Sequence, residues 1–325
     1  MHQINLSKLN LRTDLIIEKE GIEHTEKSKD GLTITSSYKD GNYITLSFED
    51  ITDYHHRIAV SQELEKIIKD LLKTNNIKED ASCLIVGLGN RLSTPDSLGP
   101  KVIDDIVITN HLFKLGTVEK GFRPVSALVP GVMANTGIES SLIITSIIKE
   151  LHPDFVICID ALASMSLDRI NKTIQITDTG IHPGSGVGNN RKEISKKTVG
   201  IPVIAIGIPT VTTASTIVYD TLNYLYKHIS YIKEHENTNK LTFIKKNYRH
   251  KLEDITLSDN DKATLLGLFG SLNSQEQRNL INEVLTNTEL NLIVTPTEID
   301  FLISKLSNLI SSSLNNALHR QINHF

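Results

Sequence analysis

Residues 153–163 read PDFVICIDALA, and this stretch decides the fold. Phe155–Ile159 is apolar at every position and is introduced by Pro153. A strand with no polar alternation has both faces covered, as in a parallel sheet lying between helix layers. The same signature recurs on either side. Upstream, SCLIVGLGN (82–90) predicts a strand at Leu84–Leu88, and Val125–Val129 predicts another. Downstream, Thr173–Thr177 is a shorter strand and Val203–Ile208 a further one, followed by a helical run to about Lys227. Strands alternating with amphipathic helices predict an α/β fold: a largely parallel sheet with helices on both faces, plus a helical C-terminal part.

The flanking regions supply the helices and their ends. SQELEKIIKDLLK (61–73) places Leu64, Ile67, Ile68, Leu71 and Leu72 on one helical face. Thr136-Gly137-Ile138-Glu139 predicts a capping box opening a helix to about Leu151, and Ser274–Gln277 predicts a second box. Thr295-Pro296-Thr297-Glu298 combines an N-cap with a proline at the first helical position. The helix beyond it carries Ile299, Leu302, Ile303, Leu306 and Ile310 as one stripe. Residues 1–50 read as a leader and a small hairpin turned at Asp40-Gly41-Asn42. The charged stretch 230–260 predicts an exposed insertion or linker.

Composition narrows the function classes. The 325 residues carry 34 Lys and Arg against 38 Asp and Glu, for a net charge of −4. No basic field is present, so no direct nucleic-acid partner is expected. No signal-like leader and no run of about 18 apolar residues occurs, so a cytoplasmic protein without a membrane partner is expected. Cys83 and Cys158 both lie in apolar runs, which predicts two small buried hydrophobes rather than a disulfide.

Two acidic residues fall where an open α/β sheet places its ligands, beyond the carboxyl ends of the strands. Asp160 ends the strand FVICID, and Asp96 lies in the loop GNRLSTPDSLGP after the strand LIVGL. If these strands are neighbours, the two carboxylates converge. Such a pair shares a proton and can activate water and protonate a leaving amine. Each acid also has a structural reading, Asp96 as a turn residue after Pro95 and Asp160 as a cap. The glycine stretch Gly184-Ser185-Gly186-Val187-Gly188 is either a plain loop or a nest of backbone N–H groups for an extended chain. His182 beside it would complete a His/carboxylate metal set with Asp96 and Asp160, or is a surface histidine. GLGNRL has Leu92 where a dinucleotide fingerprint needs its third glycine. No G-x-S-x-G, H-E-x-x-H or C-x-x-C is present. No cofactor is therefore predicted, and metal participation is left open.

The blocks SCLIVGLGN, TPDSLGPKVIDDI, GFRPVSALVPGVMANTGIES, PDFVICIDALA, TIQITDTGIHPGSGVGNNRKEIS and GIPVIAIGIPTV strongly resemble the germination proteases of endospore-forming bacteria. So do LNLRTDL near the start and NLIVTPTEIDFLISKLSNLISSSLNNALH near the end, and the likeness spans nearly the whole chain. The resemblance implies an endopeptidase of the spore core that degrades small acid-soluble spore proteins during germination. It implies a self-processing zymogen, a homotetramer, and a core like that of the hydrogenase-maturation endopeptidases. It assigns the catalytic aspartates to Asp96 and Asp160. The family pattern has an aspartate after its Pro-Thr-Val run, whereas Pro209-Thr210-Val211-Thr212-Thr213 has none. Family cleavage sites resemble Thr-Glu, a large apolar residue, small residues, then Glu. Thr13-Asp14-Leu15-Ile16-Ile17-Glu18 follows that order with Asp for the first Glu. The expected organisation is a propeptide of residues 1–14, cut between Asp14 and Leu15, and one α/β protease domain of residues 15–325. The competing expectations are a metal-dependent protease using His182 and a non-catalytic binder of spore proteins.

Overall fold

Nine strands join into one sheet system whose main path is β1-β2-β3-β7-β8-β6-β4-β5, among the residues described. The computed structural model describes residues 13–184, 192–234, 267–290 and 292–320, together with Ile255 and Thr264. The strands are β1 (His24–Lys29), β2 (Leu32–Tyr38), β3 (Asn42–Phe48), β4 (Cys83–Gly87), β5 (Val125–Leu128), β6 (Phe155–Ala163), β7 (Thr173–Thr177), β8 (Val203–Thr213) and β9 (Ile293–Val294). The helices include α1 (Tyr54–Thr74), α2 (Leu98–Asp104), α3 (Asn110–Leu115), α4 (Met133–Thr136), α5 (Ser140–Leu151), α6 (Lys196–Val199), α7 (Ala214–Glu234), α8 (Ser274–Asn287) and α9 (Ile299–Leu318). The chain divides into two compact units.

The larger unit runs through Arg12–Ser164, Asp168–Val211 and Thr295–Phe325. Its sheet is half parallel. β5, β4, β6 and β8 pair in parallel, whereas β7, β3, β2 and β1 continue the sheet antiparallel from β8. The expectation of a largely parallel sheet is corrected in this half. The expected hairpin turned at Asp40-Gly41-Asn42 is present as β2 and β3, and with β1 it forms a three-stranded meander that joins the sheet through β7. The physical reason is in β2 and β3: Leu32, Leu46 and Phe48 are apolar and buried in the main core, so this edge packs rather than floats.

Each face of the sheet has its own core. One holds Ile85, Phe155, Ile157, Ile159, Ile204 and Ile206 under α1, α2 and α9. The other holds Val86, Val156, Cys158 and Val203 under α5. Alternate residues of one strand thus feed opposite cores, which is why FVICI contains no polar position. Cys83 and Cys158 are buried and free, and they lie in opposite cores.

Three helix starts differ from expectation. Thr136 ends α4, Gly137 follows it in the left-handed region, and α5 starts at Ser140 after Glu139. The box of α8 is set by Asn273 and Glu276, each bonded to the other's backbone N–H, one residue before the expected position. α9 begins at Ile299 after Glu298, because Thr295 Oγ1 donates to Thr210 O and is not free to cap. The stripe on α9 is as expected: Ile299, Ile303, Leu306 and Ile310 are buried, with Leu302 packed beside them.

The smaller unit includes Met165–Leu167 and Thr212–Val294. Within it Thr212 and Thr213 pair with Val294 and Ile293. Arg278 of α8 stacks 3.7 Å over the ring of Tyr219 and donates to Met165 O at 3.1 Å. Asp220 of α7 lies 3.7 Å from the same guanidinium and accepts the N–H of Leu167. Much of the charged stretch 230–260 lies outside the described residues. Among those described, no helix is long and apolar enough to cross a membrane.

Candidate active site

Asp160 is the sixth residue of β6, and the strand runs on to Ala163, so Asp160 does not end it as expected. The neighbouring strand β4 stops at Gly87, in register with Ile159. Asp160 therefore stands one residue past the end of β4, on the face that carries Val156 and Cys158. It is 5% exposed. Its charge adds to burial in pushing the Cys158 thiol pKa up.

Two strands away, Gln175 occupies the same level. Asp160 pairs with Gly207 of β8 in parallel register, and Gly207 pairs with Gln175 of β7. Residues directly opposite one another share a face, so the acid and the amide flank a glycine. A Cβ at Gly207 would come within 2.5 Å of the Leu162 side chain. The Leu162 side chain thus packs where a side chain at Gly207 would lie, beside a cavity of about 90 Å³ lined by Asp160, Gln175, Gly207, His182, Lys19 and Asp14 among others.

Asp14 brings the chain's own N-terminal segment into this cavity. Its N–H donates to Ala163 O at 3.2 Å, and the Ala163 N–H donates to Asp14 Oδ2 at 2.9 Å. Gln175 Nε2 donates to Asp14 O at 3.0 Å, while Gln175 Oε1 accepts the N–H of Ile16 at 2.6 Å. The Leu15 N–H donates to Thr13 Oγ1 at 3.0 Å. Leu15 and Ile16 are fully buried. The chain then turns through a 3-10 segment, Ile16–Glu18. The Glu18 carboxylate is buried: Ser164 Oγ donates to it at 2.6 Å, Arg169 pairs with it at 2.9 Å, and Thr13 Oγ1 also reaches it.

Asp96 sits at the end of a 3-10 turn, Thr94–Asp96, in the loop after β4. Its Oδ2 accepts the N–H of Asn90 at 2.9 Å. Gly89 has φ 110, and a Cβ there would lie 2.1 Å from Asp96 O, so glycine alone allows this fold-back. Thr210 Oγ1 of β8 donates to Pro95 O and ties the loop over the sheet. β4 and β6 are neighbours, so the loop that carries Asp96 leaves the strand beside the one that carries Asp160. Asp96 is not among the described residues that line the cavity.

His182 is exposed and lines the cavity one residue after Ile181, which bridges to Ile194. Gly184 is described, with φ 73; Gly186 and Gly188 lie outside the described residues. Among the described residues no group of three or more His, Cys, Asp and Glu side chains is placed to hold a metal. Gln175, Arg169, Ser164 and Gly207 are site residues that motif reading passes over. The signal for Gln175 is in TIQIT itself, one amide between two buried isoleucines of a central strand.

The fold is α/β, and its cavity is lined both by the buried Asp160 and by Asp14 of the chain's own N-terminal segment. The germination protease family model matches residues 10–324. The chain is 45% identical to the germination protease of Priestia megaterium over 279 residues, 83% of this chain and 75% of that one. It is 44% identical to the germination protease of a Geobacillus species over 280 residues, 82% and 75% of the two chains. It is 46% identical to that of Oceanobacillus iheyensis over 268 residues, 81% and 73%. The chain belongs to the germination protease family, and it is a peptidase.

Proposed function

We propose that this peptidase is made as a zymogen that cuts itself between Asp14 and Leu15 and then degrades small acid-soluble spore proteins during germination. The observation that carries the reading is the seat of residues 13–18. Asp14 lines the cavity that holds Asp160, Leu15 is buried beyond it, and Glu18 is held by Arg169 and Ser164. The three positions that follow the family's cleavage pattern, acid, apolar, then trailing acid, each have a distinct environment. A substrate chain would use the same ones: the Ala163 N–H for the first acid, the Leu15 site for the apolar residue, and Arg169 with Ser164 for the last acid.

In this reading Asp160 takes a proton from water as its oxygen attacks the Asp14 carbonyl carbon. The C–N bond to Leu15 breaks, and the proton passes to the Leu15 nitrogen, leaving a carboxyl group and an amine. Asp96, in the loop after the neighbouring strand, is the second acid of the pair. The core resembles in this respect the hydrogenase-maturation endopeptidases. The protein works in the spore core as a homotetramer.

The test is incubation of the purified protein with a small acid-soluble spore protein, with and without a chelator. Discrete fragments in both samples support the acid-pair reading. Loss of cleavage with chelator, restored by added metal, would instead make it a metal-dependent protease with His182 as the natural third ligand. Tight binding without fragments would refute spore-protein proteolysis.

A further inference from the structure

We infer that Gln175 is a catalytic residue: its side-chain amide binds the carbonyl oxygen of the bond being cut and stabilises the oxyanion formed there. The inference rests on the self-cleavage reading above and goes beyond it, since neither carboxylate supplies a donor to that oxygen. Nε2 of Gln175 lies 3.0 Å from Asp14 O, the carbonyl of the Asp14–Leu15 bond. Its Oε1 lies 2.6 Å from the Ile16 nitrogen, so one amide bridges both sides of the bond. Because Oε1 is committed to an N–H, the amide cannot flip, and Nε2 is held facing the carbonyl. Gln175 is only 7% exposed, and β7 is an inner strand paired on both sides, so the donor is rigid and shielded from water. The other polar atoms of the segment have partners elsewhere: the Asp14 N–H on Ala163 O and the Leu15 N–H on Thr13 Oγ1.

When water adds to the Asp14 carbonyl carbon, the C=O π electrons move onto Asp14 O. A preorganised donor is worth most at that moment, because the bond to a full negative charge is shorter and stronger than the bond to a neutral carbonyl. When the C–N bond breaks, those electrons return and the Leu15 nitrogen leaves with the proton. Gly207 belongs to the same device. Its lack of a side chain lets the Leu162 side chain pack directly on the β8 backbone between Asp160 and Gln175, at the wall of the cavity.

The experiment follows self-cleavage of the full chain by gel and by the sequence of the new N-terminus, for wild type, Gln175→Ala and Gln175→Glu, from about pH 7 to about pH 5. Gln175→Ala loses the donor and is expected to cut about 10²–10³-fold more slowly. Gln175→Glu keeps the length and the acceptor towards Ile16. Ionised, it has no hydrogen for Asp14 O; protonated, it has one. Its rate relative to wild type is therefore expected to be low near neutrality and to rise at least about tenfold as the carboxyl protonates. Circular dichroism checks that each variant is folded, and Gln175→Glu carries the test if Gln175→Ala is not. A wild-type chain cut at Asp14–Leu15 alongside a Gln175→Ala chain cut at nearly the same rate overturns the assignment alone. So does a Gln175→Glu ratio that stays flat with pH. A wild-type chain that remains whole overturns the self-cleavage reading and this assignment together.

Discussion

At the scale of single residues, the site is a competition for backbone hydrogen bonds that the N-terminal segment wins. Ala163 and Gln175 present a donor and an acceptor each, and Asp14 and Ile16 take them all. Asp160→Asn keeps the side-chain shape but cannot accept the proton of water. It is expected to abolish self-cleavage and substrate cleavage, a loss of about 10²–10⁴ in rate, with an unchanged thermal transition. Asp96→Asn is expected to do the same. Near-wild-type turnover in either folded variant would remove that residue from the mechanism. Asp14→Ala tests recognition rather than chemistry. It deletes the acceptor that the Ala163 N–H donates to, and such a charge-assisted bond contributes about 1.5–3 kcal/mol. Self-cleavage should slow by roughly 10- to 100-fold, read as the half-life of the full chain on a gel. An unchanged half-life would mean that the contact has no part in cleavage.

At the scale of elements, α9 is the strut of the larger unit. Leu306 is fully buried between α1 and the sheet, so Leu306→Ala is expected to destabilise the fold by about 2–5 kcal/mol in urea unfolding. A loss under about 1 kcal/mol would show that the site collapses around the cavity. The end of α9 carries a second device. His319 caps it, is 1% exposed, and accepts the Arg123 N–H on Nδ1, so its proton sits on Nε2, facing Val107 O. Burial pushes its pKa below the ordinary 6.5; the bond to Val107 opposes this and the nearby Arg123 charge adds to it. The folded state thus prefers the neutral ring. Stability from this residue is complete above pH 6.5 and is lost as pH falls through the lowered folded pKa, because only the unfolded chain takes the proton readily. Urea midpoints should fall between about pH 7.5 and about pH 5.5, and fall less in His319→Gln, which keeps one donor and one acceptor. Equal pH dependence in both would refute the role.

At the scale of the molecule, the N-terminal and C-terminal segments are both parts of the larger unit: residues 13–18 fill its cleft and α9 fills its core. Truncation after Thr295 removes Ile303, Leu306, Ile310 and Leu314 from the core at once. Such a chain is expected to lose cooperative unfolding and to sediment as aggregate. A truncated chain with a sharp transition and wild-type activity would show that the core closes without the helix.

The sequence by itself determined the strands of the sheet's centre, the stripe of α9 and the buried cysteines, because each is a local pattern of apolar residues. PDFVICIDALA could not have been anything but an inner strand. Family membership was legible too, since it rests on long blocks of residues. The helix starts were misplaced by one to a few residues: the hydroxyls of Thr295 and Thr136 donate to Thr210 O and Val132 O, and Asn273 caps α8 in place of Ser274. Only the tertiary structure decided that β7 runs antiparallel beside β8, since strand direction is set by neighbours and leaves no mark in TIQIT. That choice brings Gln175 level with Asp160, where it donates to Asp14 O. Residues 160 and 175 come level through backbone pairing across the sheet, and Asp14 is held by Gln175 and Ala163; contacts of that kind are a property of the folded chain.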